Sequence, residues 1–298
     1  MYRSAEHLEA LGLPGGDLHA LPATDKRFPD GSAFRVEIPS VEGPAAMRVV
    51  LAEAARLDVP IHRVSQGSGV WMLDDDEIRE MVSLGAEHDV EVILFVGPRA
   101  AWDTGRQVTA SSGAVVGASL RGADALAAGT DDVLRACELG LRGVLVADVG
   151  QLMVLGRLKA AGVLPEDLQL KVSVSLPVGN PATARLMEDL GATSLNLPVD
   201  LSVASIAAIR RAVDVPLDVY VEAADDFGGG MRHYEAPYLV RCGAPIYLKY
   251  TVRNAPNTYP SGAHLQGLVE TLSAERVRRA ALGLALLRRY EHEPASRG

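Results

Sequence analysis

The chain has 298 residues with 48% hydrophobic and 22% charged side chains, an ordinary composition for a folded protein with a sizeable core. Its 38 acidic against 29 basic residues give a formal charge of −9, which argues against a nucleic-acid surface or an anionic membrane, since both require a basic patch. Two cysteines, Cys137 and Cys242, stand outside any CxxC or Cys/His cluster, so neither a disulfide framework nor a four-cysteine iron–sulfur site can be built. The opening MYRSAEHLEALGLPGG contains acids, and no run of 18 uncharged apolar residues follows anywhere, so a cytoplasmic location is expected.

Residues 1–33 precede the first β-rich run and carry Pro14, Gly15, Gly16, Pro22, Pro29 and Gly31, the composition of a short helix followed by an irregular arm. Such an arm either plugs the bottom of the domain or crosses to another subunit of a homo-oligomer. From there the apolar pattern alternates between short β-rich runs and helix-period stretches. The runs are Phe34 to Ser40, Ile61 to Gln66, Glu91 to Val96, Gly143 to Asp148, Leu170 to Ser175, Thr193 to Pro198, Leu217 to Glu222 and Pro245 to Tyr250. Helix starts are expected near Thr130, Asn180-Pro181, Ser202 and Ser273. Eight βα units predict a (β/α)8 TIM-type barrel over 34–298 with an N-terminal extension, a fold that fills about 250 residues as one unit. A doubly wound open sheet is the rival, but Val41-Glu42-Gly43-Pro44 follows the first strand where a GxGxxG turn would stand. The segment 97–129 is long for a βα loop, and a long loop of this fold usually lies over the active face.

In a barrel the apolar side of each strand faces the helices, so the alternate residues point into the lumen. This places Arg35 and Glu37, Lys171 with Ser173 and Ser175, Asn196, Asp218 with Tyr220 and Glu222, and Tyr247 with Lys249 inside, while Gln66 and Asp148 close their strands at the C-terminal end. Isolated buried charges cost several kcal/mol each, so this convergence requires pairing, ligation or a polar pocket. Arg35, Lys171 and Asp218 fall near the N-terminal face and read as a structural network. Glu222 and Lys249 end adjacent strands at the face where barrel chemistry sits, and they make a candidate acid/base pair. His233 is a further acid/base candidate, with Glu37 and Asp148 in supporting roles.

The loop Ala223 to Tyr234 contains Gly228-Gly229-Gly230 followed by Arg232, and the last strand is followed by Arg253 and Asn254. Backbone N–H groups at Gly229 beside two arginines predict a carboxylate or phosphate site. Gln66, Ser173, Ser175, Asn196 and Tyr247 complete the expected substrate-binding set. No cofactor is required by this reading. The alternative is a divalent ion such as Mg²⁺ on Glu37, Asp148 and Glu222, whose oxygen donors suit a hard cation. Zinc is disfavoured, because HExxH is absent and the seven histidines are scattered.

Several stretches are similar to a known family: Lys171-Val172-Ser173-Val174-Ser175, Asn180 to Arg185, Leu190-Gly191-Ala192, Tyr220-Val221-Glu222-Ala223, and Tyr247 to Tyr250 continuing through Arg253 to Gly262. They resemble the barrel proteins known as U32 peptidase-like, over about residues 34 to 290. The resemblance implies a TIM-barrel fold. Many members of the wider group carry cysteine-ligated iron–sulfur clusters, and this sequence departs from them in having two cysteines. The expectation is therefore an enzyme acting on a small anionic metabolite by acid/base or Schiff-base chemistry at Lys249, of the lyase or isomerase class. A metal-assisted hydrolase and a non-catalytic partner subunit are the alternatives. The latter would show complete charge pairing in the lumen and no open pocket.

Overall fold

A computed structural model of the chain describes residues 3–102, 106–110, 113 and 117–291. Eight parallel strands form the barrel: β1 (Phe34–Pro39), β2 (Arg63–Ser65), β3 (Glu91–Phe95), β4 (Gly143–Val146), β5 (Gln169–Val172), β6 (Ser194–Asn196), β7 (Leu217–Ala223) and β9 (Ile246–Tyr250). Each pairs with its sequence neighbour, β9 pairs with both β7 and β1, and no edge remains open. The two-residue β8 (Gly230–Met231) lies antiparallel to the end of β7 as a rim hairpin. The expected closed barrel is thus the observed fold; six strands lie within the expected runs, β5 begins one residue earlier at Gln169 and β7 ends one residue later at Ala223.

The helices are α1 (Ala5–Ala10), α2 (Pro44–Leu57), α3 (Asp75–His88), α4 (Ala123–Glu138), α5 (Val149–Ala160), α6 (Pro181–Asp189), α7 (Val203–Ala212), α8 (Ala236–Gly243) and α9 (Gln266–Glu291). The expected caps hold for α6, where the Asn180 side chain accepts from Thr183 N, and for α7, where Ser202 accepts from Ser205 N. Two starts are displaced. α4 begins seven residues before Thr130, because Gly129 is an interior packing glycine and not a boundary: a Cβ there would stand 2.2 Å from the Gly97 carbonyl oxygen. Thr130 satisfies its hydroxyl within the helix by donating to Leu126 O at 2.8 Å. Likewise Ser273 lies inside α9, fully buried.

Outward-facing strand residues, among them Val36, Ile38, Val64, Leu94, Val144, Leu170, Val172, Leu195, Val219 and Leu248, join the inner faces of the helices in one continuous core. The inner face is divided. Ile93, Phe95, Leu145 and Ala147 make a small apolar cluster on the β3–β4 side, whereas the remaining strands send charged and hydroxyl side chains inward. The N-terminal arm packs across the barrel bottom: Phe28 is buried edge-on against Tyr247 at 5.1 Å between centroids, and Lys26 Nζ donates to Val213 O at 2.6 Å.

Asp148 differs from its expected lumen position. β4 ends at Val146, and Asp148 is the N-cap of α5, accepting from Gln151 N at 2.9 Å and from Leu120 N at 3.1 Å. Its carboxylate is occupied in capping a helix and anchoring the segment after β3. Replacement Asp148→Ala should therefore cost about 1 kcal/mol in urea unfolding. In the same variant the Leu120 amide should exchange faster with deuterium, which a lumen-facing carboxylate would not produce.

Candidate functional site at the barrel mouth

The lumen is organised around Glu37, which is fully buried. Its register partners are Arg63 on β2 and Lys249 on β9. Glu37 Oε2 pairs with Lys171 Nζ and lies 3.7 Å from the Arg63 guanidinium, while Oε1 takes the Ser65 hydroxyl at 2.7 Å and stands 3.2 Å from Lys249 Nζ. Asp218 is the second buried carboxylate, 2.9 Å from Arg63 and 3.3 Å from Lys171. Below them Tyr247 donates to Glu91, Arg63 stacks over the Tyr247 ring at 3.5 Å, and Arg35 bridges Glu91 to Asp30. Tyr247 is consequently a structural member of the barrel floor and not the substrate contact expected from its inward direction. Arg35 and Asp218 belong to this network as anticipated.

Burial alone would raise the Glu37 carboxyl, but Lys171, Lys249 and Arg63 outweigh it and hold Glu37 well below the usual carboxylate range. Lys171 responds in the other direction. Desolvation pushes its ammonium down to about 8, against the attraction of Asp218 and Glu37 and with added repulsion from Lys249 and Arg63. Arg63 also pairs with Glu91, Nε to Oε2 at 2.6 Å, so Arg63, Lys171 and Lys249 are balanced by Glu37, Asp218 and Glu91, and Arg35 by Asp30. Lys171 is the member most ready to lose a proton.

Above this layer a cavity of about 720 Å³ opens at the C-terminal ends of the strands. Lys249 is the lysine that reaches it, its Nζ 4.4 Å from the centroid of the Tyr220 ring. Ser173, Ser175 and Asn196 line the wall as expected. Gln66 also lines it, but both ends of its amide are spent on Gly69, donating to the carbonyl at 3.0 Å and accepting from the amide at 2.9 Å. Val174 reaches the wall as well: β5 stops at Val172, and a turn around Ser173 ends the alternation. From the segment after β3 come Arg99, Ala101, Trp102, Gly117 and Ala118, which line the cavity; Ser111 and Ser112 fall outside the described residues.

Arg99 is the cation that sequence reasoning missed. Its guanidinium stacks over Phe95 at 3.4 Å and Trp102 at 4.0 Å, and it donates to Gly67 O. No carboxylate lies within ion-pairing distance of it among the described residues. Burial pushes its pKa down to about 10, which still leaves it charged at neutral pH. Tyr220 and Tyr259, the latter sharing a short hydrogen bond with Ser40, complete the polar wall, and burial raises both phenols.

Four expectations fail at the rim. Glu222 does not face Lys249: the β7–β9 ladder shifts between Tyr220 and Glu222, which pairs with Tyr250. Its carboxylate accepts from Arg253 N at 2.9 Å, with His233 Nε2 at 3.4 Å and Arg279 of α9 at 3.9 Å, so the acid/base pair is not formed. His233 is occupied by the same contact and leans on the Tyr250 ring. The anion cradle is not assembled either. Arg232 pairs with Glu235 at 2.6 Å, and Asp225 takes both Arg253 Nε at 3.4 Å and Asn254 N, knitting the two rim loops to each other. Gly229 packs against Asp225 and Arg253, while Gly228 is the glycine that lines the cavity. Finally, Glu37, Asp148 and Glu222 occupy three separate environments and cannot ligate one ion; among the described residues no group of three or more His, Cys, Asp or Glu could hold a metal.

A closed parallel barrel with a charged lumen and a polar cavity at its C-terminal mouth is a (β/α)8 barrel of TIM type. The sequence resemblance holds through its middle: residues 116–225, from the segment after β3 to the end of β7, match Peptidase family U32. The motif after β9, from Tyr247 to Gly262, lies beyond the matched residues. No curated protein sequence matches the chain. Among solved structures, the U32 peptidase Mk0906 is 18% identical, with 74% of this chain and 93% of that one covered and a TM-score of 0.42. A 3-hexulose-6-phosphate synthase is 13% identical, with 83% and 99% covered and a TM-score of 0.45. Thiamine phosphate pyrophosphorylase from Pyrococcus furiosus is 14% identical, with 82% and 97% covered and a TM-score of 0.42. Among the described residues no helix is long and apolar enough to cross a membrane.

The Lys171 environment generates a pH dependence with a definite sign. Its ordinary value of 10.5 applies in the unfolded chain and about 8 in the folded one, so between these limits the unfolded chain binds more protons and stability rises with pH. Wild type should therefore gain unfolding free energy relative to Lys171→Met as pH increases from 8 to 10 in urea titrations. A constant difference would place the titration elsewhere.

Proposed function

We propose that this protein is an enzyme acting on a small anionic metabolite at the barrel mouth, with Lys249 as the group that addresses the reacting carbonyl or hydroxyl oxygen. The observation carrying this reading is that two cations, Lys249 and Arg99, reach one cavity, Arg99 with no carboxylate at ion-pairing distance among the described residues. Arg99 supplies an anchor for a carboxylate or phosphate, stiffened by its aromatic neighbours. Lys249, held 3.2 Å from Glu37, supplies an ammonium where negative charge develops on a substrate oxygen. Lyase and isomerase reactions that pass through an enolate-like state need this stabilisation. The reading requires no cofactor.

Schiff-base chemistry at Lys249 is a second reading, favoured by the place of this buried lysine at the cavity: its neutral amine would add to a carbonyl with loss of water. A metal-assisted hydrolase lacks the donor geometry in its expected residues. The open cavity weighs against a purely structural barrel, as does the bare side-chain oxygen of Asn196.

The two lysine roles separate experimentally. Glyoxylate or pyruvate with borohydride should leave a reduced adduct on the peptide containing Lys249 if the amine is nucleophilic, and none if it acts only as a cation. In both cases Lys249→Met should weaken binding of these acids by roughly tenfold or more, consistent with loss of a charged hydrogen bond. Unchanged binding in both Lys249→Met and Arg99→Met would overturn the assignment of the cavity as an anion site.

A further inference from the structure

The wall of the cavity contains a polar atom that the protein leaves without a partner. Asn196 ends β6, is 1% exposed, and lines the cavity, yet its Oδ1 makes no hydrogen bond. The Tyr220 side chain is its polar neighbour in the wall. A buried acceptor left bare costs about 1–3 kcal/mol, so its retention at the wall of a cavity points to a ligand group that satisfies it. Tyr220 also ties this position to the lysine, because Lys249 Nζ sits over the same ring. Asn196 and Lys249 therefore flank one aromatic side chain, close enough for a single small molecule to meet both.

We infer that the substrate carries a hydrogen-bond donor, a hydroxyl or amine, beside its anionic group, and that Asn196 is the residue that selects for it. This deepens the reading of the cavity as an anion site and rests on it. The cations meet the ligand's acceptor atoms, and Asn196 Oδ1 meets its donor. Ser173 and Ser175 cannot impose the same selection, because a hydroxyl rotates to donate or accept as the ligand requires. An acid without a donor would bury the Asn196 oxygen unpaired, which is the situation in which hydrogen-bonding sites discriminate most strongly.

Paired probes of equal charge and similar size test this: lactate against propionate, and glycolate against acetate, titrated calorimetrically into wild type and into Asn196→Leu. Wild type should prefer each hydroxy acid by about tenfold, and Asn196→Leu should lose the preference while retaining its affinity for propionate. Tyr220→Phe, which keeps Asn196 but removes its polar neighbour, should narrow the preference in the same direction and guards against a folding defect in the first variant. Equal binding of both members of each pair by wild type would overturn the selection while leaving the anion site standing. Binding of none of the four acids would overturn the anion site and this inference together.

Discussion

The constraint on which the structure depends is the burial of the Glu37 carboxylate with three cations around it. Glu37 is fully enclosed, and Arg63, Lys171 and Lys249 converge on it from β2, β5 and β9. Removing one partner from a buried ionic cluster of this kind leaves uncompensated charge, which costs far more than the cluster contributes as a whole. The cluster fixes the relative positions of strands remote in sequence and lifts Lys249 to the floor of the mouth cavity. Asp218 and Glu91 supply the further carboxylates, so the charges of the layer balance, and Lys249 is the cation of the layer that reaches the cavity Arg99 also lines.

The rim is built on the reverse principle. Arg232, Arg253 and His233 each face a carboxylate, Glu235, Asp225 and Glu222 respectively; Arg253–Asp225 joins the loops after β7 and β9, and Arg279 ties Glu222 to α9. Positive charge at the rim is thus consumed in holding loops. Lys249, although paired with Glu37, and Arg99 are the cations that line the cavity. This division explains why the glycine-rich loop, with two nearby arginines, does not form the binding cradle its sequence resembles.

Much of the fold was legible because strand alternation and helix periodicity are local signals. Lys249, Glu37, Lys171, Ser173 and Asn196 were placed inward from the apolar residues that alternate with them, and the structure puts them there. The same rule applied to Ile61–Gln66 would also have brought Arg63 and Ser65 inward. Alternation failed where strands end or bulge: Asp148 lies past the end of β4, and Glu222 lies past the ladder shift at the end of β7. Neither event has a sequence signature as strong as the period itself. Arg99 was illegible for a different reason. Its place depends on the irregular turn after β3, in which Phe95 and Trp102, four residues before it and three after, both stack on the guanidinium, a conformation with no periodic signature.

The central claim is that the cations reaching the mouth, Lys249 above the buried cluster and Arg99 beside it, receive an anion. Proton linkage tests this most directly. Lys171 is held near 8, so at that pH the cluster is partly deprotonated, and an arriving anion should draw a proton back onto it. Calorimetric titration of glycolate, lactate and malonate at pH 8, in two buffers of different ionisation enthalpy, should show net proton uptake on binding, and the uptake should vanish in Lys171→Met. Binding without proton uptake, or uptake unaffected by Lys171→Met, would contradict the account.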